Sequence, residues 1–127
     1  MTAPIKPTIP FSDLEKIDVR VGTIEAIEDV EKSDKLVRMI VDFGDHKRKI
    51  LVGMKKERPN VSPEDPPLRR IRDELLGRQA LFVVNLEPRK IMGELSEGMI
   101  FDIGYADGLL PVLAVPEKPV PAGTRVG

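Results

Sequence analysis

A chain of 127 residues, 41% hydrophobic and 32% charged, has the size and composition of one globular domain whose core needs no metal or disulfide staple. Its 20 Lys and Arg against 21 Asp and Glu leave a formal charge of −1 and a sequence pI of about 5.9, which argues against coating nucleic acid by bulk charge and leaves a local basic face open. The absence of cysteine excludes a disulfide framework, a thiolate nucleophile and a Cys-based zinc site, and no metal site or cofactor is expected. No apolar run approaches the roughly 20 residues of a membrane span, and the first residues lack the apolar region of a secretory signal, so the expected compartment is the cytoplasm, with no membrane partner.

Residues 1–10 carry three prolines and read as an extended arm, with residues 11–127 as a single domain. Phe11–Ile17 predicts a short helical turn capped by Ser12, with Glu15 three residues on as a capping-box partner. Asp18–Glu28 alternates apolar and polar residues, then loses step after Gly22. Val19 and Val21 share one face while Ile24 and Ala26 share the other parity, which predicts a bulge or sharp bend at the glycine. Lys35–Phe43 predicts a second strand with Val37, Met39, Val41 and Phe43 on one face, and Gly44-Asp45 a hairpin turn into a third, His46–Val52.

Glu57–Pro67, with four prolines in eleven residues, interrupts regular structure. Leu68, Ile71 and Leu75 then recur at helical spacing, and Gly77 is placed to end the helix. Gln79–Asn85 and Met99–Ile103 predict two more strands. Three strands, a helix and two strands is the order of the OB-fold, a five-stranded, partly open Greek-key barrel that binds oligonucleotides. The extension from about residue 104 to 127 holds another apolar run (Leu109, Leu110, Val112, Leu113, Val115), which predicts an extra strand layer over the barrel or a subunit interface.

Between the fourth and fifth strands, Asn85–Met99 (NLEPRKIMGELSEGM) collects Asn, Pro, Arg, Lys, Met, Ser and two Gly in one connection. Such a loop held between rigid strands is where binding residues concentrate. A second charge feature, Lys47–Arg58, has six cations against one acid along a strand and its exit. Alternation puts Lys47 and Lys49 on one side and Arg48 on the other, and a solvated edge guarded by lysines is the alternative to a ligand face.

Four blocks in order resemble the tRNA-binding OB-fold domain family. They are Asp18-Val19-Arg20-Val21-Gly22, Ser33-Asp34-Lys35-Leu36, Arg48 through Met54, and Asn85 through Met99. That family includes free-standing structure-specific tRNA-binding proteins, the C-terminal appendage of methionyl-tRNA synthetase and the chaperone-like CsaA group. Glu31-Lys32 and Val52 depart from its usual His-Pro and Ser. The resemblance implies a non-catalytic domain that recognises folded tRNA, a homodimer built with the C-terminal extension, and an aminoacyl-tRNA synthetase as a further partner.

The expected binding surface is Lys35, Arg48, Lys49, Asn85, Arg89, Lys90 and Ser96, with Met92, Gly93, Glu97 and Gly98 in support. Arg grips phosphate bidentately, Lys offers a flexible point charge, and Asn can read a base edge or a ribose 2′-OH. Glu97 either orients Arg89 or Lys90 or caps backbone N–H groups. Asn85, Gly93 and Gly98 can alternatively serve positive φ, and Met99 is expected in the core. With four Phe, one Tyr and no Trp, backbone and shape recognition fits better than stacking along a single strand. The lone His46 beside Asp45 is expected to be exposed, and no nucleophile elbow or phosphate-cradling loop accompanies it. The rival reading, drawn from the CsaA-like members, is a module that binds unfolded or export-bound polypeptides through an apolar groove.

Overall fold

The computed structural model describes residues 2–127 and is built around β1 (Val19–Asp29), which serves two partners in turn. Its first half pairs antiparallel with β4 (Gln79–Val83), from Val19 opposite Val83 to Thr23 opposite Gln79. Its second half pairs with β2 (Leu36–Asp42), from Thr23 opposite Asp42 to Asp29 opposite Val37. The β1–β2 register slips between Ile24 and Ala26, so Glu25 is the extra residue, and the inward set runs from Ile24 to Ile27. The bulge therefore lies beyond Gly22, not at it. Gly22 serves close approach: a Cβ there would collide with Val41 Cγ1 and lie 2.8 Å from the Phe43 ring.

β2 continues through a tight turn at Gly44 (φ 92°) into β3 (Lys47–Gly53), with Phe43 N–H donating to His46 O at 2.9 Å. Val37, Met39, Val41 and Phe43 all lie inside, as the alternation predicts. Helix α2 (Arg69–Leu75) follows the proline-rich loop and buries Leu68, Ile71 and Leu75 in that same core, together with Met54 and Phe82. Gly77 (φ 80°) ends the helix and donates to Ile24 O, while the Arg72 guanidinium donates twice to Ile27 O, at 3.0 and 2.9 Å.

β7 (Met99–Ile100) is the fifth barrel strand, giving the order β3-β2-β1-β4-β7. Together these strands form a nearly closed antiparallel barrel of OB type, with α2 between its third and fourth strands. β5 (Arg89–Ile91) and β6 (Glu94–Ser96) form a separate hairpin between β4 and β7. The fifth strand is shorter than expected because the chain changes partner. Phe101 N–H still donates to Leu81 O, but β8 (Asp102–Ile103) pairs with β9 (Val112–Leu113). Met99 is half exposed and Ile100 takes the core position, so the expectation of a core Met99 is corrected by one step of strand alternation. Of the strand phenylalanines, Phe43 and Phe82 fill the core edge to face at 5.5 Å, and Phe101 is half-buried.

Both ends of the chain lie outside the barrel proper. Helix α1 (Phe11–Leu14) begins directly after Pro10, whose φ of −68° sets the helix start; Ser12 lies inside the turn and does not cap it. The C-terminal tail runs along the first half of β1 on the side that β2 leaves open after Asp42. Gly123 N–H donates to Val21 O at 2.7 Å, Val21 N–H to Thr124 O at 2.9 Å and Val126 N–H to Val19 O at 2.8 Å. No helix of the described residues is long and apolar enough to cross a membrane.

Candidate nucleic-acid interface

The Asn85–Met99 connection is an ordered hairpin laid against β3. Its turn residues, Met92 (φ 52°) and Gly93 (φ 82°), both take positive φ, the requirement of a type I′ turn, whose twist matches the flanking strands. Lys90 stands opposite Leu95, Ile91 opposite Glu94 and Arg89 opposite Ser96. Paired residues share a face, so Arg89, Ile91, Glu94 and Ser96 occupy one side of the hairpin and Lys90 and Leu95 the other. Ser96 is buried and Ile91 packs with Val30, Leu36 and Leu51, which identifies the first side as the one facing the barrel.

Polar contacts seal this hairpin to β3. Leu51 N–H donates to Ser96 Oγ at 3.0 Å, Glu97 N–H to Lys49 O at 2.8 Å, and Lys49 N–H to a Glu97 carboxylate oxygen at 3.1 Å. Glu97 thus caps a backbone N–H, the second of its two expected roles. Gly98 (φ 145°) lets the chain pass where a Cβ would sit 2.9 Å from Val83 O. Arg48 reaches from β3 to the carbonyls of Val84 and Glu97, and its Nε lies 3.2 Å from His46 Nε2. The imidazole is exposed, stacks on Phe43 at 5.6 Å and has Asp45 against its other nitrogen.

Asn85 spends both ends of its amide on the segment after α1. Its Oδ1 accepts from Asp18 N–H at 2.8 Å and its Nδ2 donates to Lys16 O at 2.6 Å, with no positive φ. Thus Arg48, Asn85 and Ser96 are engaged within the chain, each joining the loop to a neighbouring element.

The cations divide sharply. In the Lys47–Arg58 run, Lys47 pairs with Glu25 at 2.7 Å, Lys49 with Glu94 at 3.5 Å, Lys55 with Asp29 at 2.5 Å, Lys56 with Asp34 at 3.4 Å and Arg58 with Glu74 at 2.5 Å. The densest basic stretch is therefore largely neutralised from within. Of the expected site residues, the cations Lys35, Arg89 and Lys90 are exposed and form no ion pair among the described residues. Arg89 borders a groove of about 550 Å³ between the hairpin, the end of β3 and β7, lined by Leu51, Gly53, Leu86, Ile91 and Met99. Lys35 stands at the mouth of β2, its carbonyl accepting from Met54 N–H at 2.9 Å, near the Gly53 end of the groove. Met92 is half exposed at the tip of the turn.

Two residues outside the expected set hold the hairpin's outer half. Arg38 of β2 clasps Glu94 with two donors, Nε at 2.6 Å and Nη2 at 2.5 Å, while Lys49 Nζ approaches the same carboxylate. The fork of Arg38 holds the Glu94 carboxyl far below its ordinary value, at about 2, with Lys49 adding to the effect. Arg38 was legible as a polar residue on the outward parity of a strand. Glu94 sits four residues C-terminal to Lys90 without a pattern that names its partner.

Residues 19–125 match the family model described as "Putative tRNA binding domain". The chain is 43% identical over 124 residues to a methionine–tRNA ligase of Porphyromonas gingivalis and 41% identical over 118 residues to that of Methanocaldococcus jannaschii. These alignments cover 98% and 93% of this chain and 16% of each ligase, so the chain spans a small part of the length of the curated relatives it matches. Among solved structures, a MetRS related protein from Pyrococcus horikoshii superposes with a TM-score of 0.79 at 30% identity, covering 96% of this chain and all of that one. The chaperone CsaA of Bacillus anthracis superposes at 0.71 over 95% of this chain and all of its own, at 24% identity, a likeness of fold. Barrel, loop signature and family model coincide over the same residues, and the chain belongs to this tRNA-binding domain family.

Proposed function

We propose that this domain binds folded tRNA without catalysing a reaction, through phosphate, sugar and shape contacts. The observation that carries the reading is the pair of unneutralised cations, Arg89 and Lys90, displayed on a hairpin sealed to a barrel of this family. Arg89 at the groove and Lys90 on the outer side reach in different directions, which suits a curved backbone more than a single flat strand. Lys35 supplies a further unpaired charge at the site and Lys49 a partly engaged one. Arg48, Asn85, Ser96, Glu97, Gly93 and Gly98 hold the surface in shape, and Met92 offers an apolar tip.

Binding of bulk tRNA measured across a salt series tests this. The log–log slope is expected to be about −0.7 to −0.9 per phosphate engaged, and replacing Arg89 and Lys90 by Ala together should reduce its magnitude by about two such increments. A wild-type isotherm flat in salt would refute the proposal. The homologous ligases support a synthetase as partner, whether in the same polypeptide or as a separate chain.

The tail leaves Leu109, Leu110 and Val112 more than half exposed, beside Ile103 and Tyr105. This apolar row supports a homodimer, and sedimentation as a single monomeric species at tens of micromolar would defeat it. It is also the surface that a peptide-binding function would use. Binding of an unfolded peptide that survives replacement of Arg89 and Lys90 by Ala, and is lost when Leu109 and Leu110 are replaced by Ser, would favour that second reading.

A further inference from the structure

The best-formed anion receptor on the β2–β3 face is already filled by the chain itself. Arg38 presents a two-donor fork, the geometry that recognises carboxylate and phosphate alike, and Lys49 stands beside it; both close on Glu94, while the remaining guanidinium nitrogen donates to the half-exposed Glu28 at 3.3 Å. The site is accessible: the side chains of Arg38 and Glu94 are each 23% exposed and that of Lys49 33%. Glu94 immediately follows the Met92-Gly93 turn and faces the barrel with Arg89, which has no ion-pair partner among the described residues.

The hairpin does not depend on this contact alone. Ser96 and Glu97 anchor its base, and Ile91, opposite Glu94 beside the turn, packs against Val30, Leu36 and Leu51, so the Glu94 side chain can leave the fork while the hairpin stays docked.

We propose that Arg38 and Lys49 form a phosphate site, and that Glu94 occupies it as an internal stand-in until an RNA phosphate takes its place. The inference rests on the tRNA reading above and adds Arg38 to the binding residues. It also gives Glu94 a defined role, that of setting a threshold. Only a ligand that engages Arg89 and Lys90 at the same time gains enough to displace a tethered carboxylate, so isolated phosphates and short oligonucleotides are turned away while an extended, correctly curved backbone is accepted. Exchange of one anion for another on the same fork keeps the partly buried Arg38 guanidinium paired.

The test is Glu94→Gln in the full chain, with tRNA binding followed from low to moderate salt and the fold checked by circular dichroism and thermal melting. The variant is expected to bind about two- to fivefold more tightly at 0.1 M salt, the range of a partly exposed ion pair, with a slope steeper by about one phosphate increment. Glu87→Gln, which removes an exposed carboxylate lining the groove, is the control for general repulsion. An equal gain in both variants overturns the proposal, as does an unchanged slope in Glu94→Gln.

Should Glu94→Gln fail to fold, Arg38→Gln decides. A shallower slope than wild type supports the site, and an unaltered slope removes it. Absence of wild-type tRNA binding would remove the functional reading and this site together. Normal wild-type binding with unresponsive variants removes only the site.

Discussion

Ser96 shows how a side chain can belong to an interface without touching the ligand. The residue is 4% exposed, and its hydroxyl accepts the N–H of buried Leu51 across the seam where the barrel closes. Ser96→Ala leaves that N–H unsatisfied, at a cost of about 1–3 kcal/mol. Thermal melting should show a fall in Tm of roughly 4 °C per kcal/mol for a domain of this size. The salt slope of tRNA binding should not move, because no phosphate contact is lost; a shallower slope would place the hydroxyl against the ligand instead. The residue type was readable from the chain, and its partner was not. A hydroxyl or an amide serves a backbone N–H as well as a ribose, and only the register of Arg89–Ser96 against β3 shows which neighbour is within reach. Asn85 follows the same logic, its two amide ends spent on Asp18 and Lys16.

At the level of the hairpin, charge adds to the packing of Ile91 in holding the outer half. Glu94 loses its proton at about 2 when docked and near 4.5 in an unfolded chain, so its contribution is complete above pH 4.5 and is lost as pH falls toward 2. Protection of the Met92–Leu95 amides, taken relative to the intrinsic exchange rate at each pH, should therefore fall across that window while amides of β1 and β4 keep theirs. Uniform exchange throughout the molecule would mean that the hairpin has no independent opening.

The existence of a loaded loop between two strands was plain from its composition. That it is a type I′ hairpin was hidden by Met92, a residue that rarely adopts positive φ. The neutralisation of the Lys47–Arg58 run was hidden for a different reason: its acids come from Glu25, Asp29, Asp34, Glu74 and Glu94, scattered through the chain and gathered only by the barrel.

Across the whole molecule, the order of strands and helix was the most legible feature, because alternation, proline-rich breaks and turn glycines mark each element locally. The C-terminal route was the least legible. An apolar run followed by prolines gave no sign that Gly123 and its neighbours return to the first half of β1, where a Cβ on Gly123 would collide with Phe43 O. Removal of residues 120–127 should uncover that strand edge and break the exchange of hydrogen bonds between Gln79 and Val120. The shortened chain should melt at lower temperature and aggregate on heating, monitored by light scattering; reversible melting without aggregation would mean that the tail protects nothing.

The division of β1 between two partners has a further consequence, for the order of assembly. Its second half meets β2 within a few residues of chain, so the β1-β2-β3 meander can form as soon as those residues are available. Its first half must wait for β4, about 60 residues later, and for the tail, about 100 residues later, both long loops to close. Contact order alone therefore lets the β1-β2-β3 meander form first, with the leading edge of β1 unpaired until β4 and residues 123–126 are available to close on Val19–Gly22.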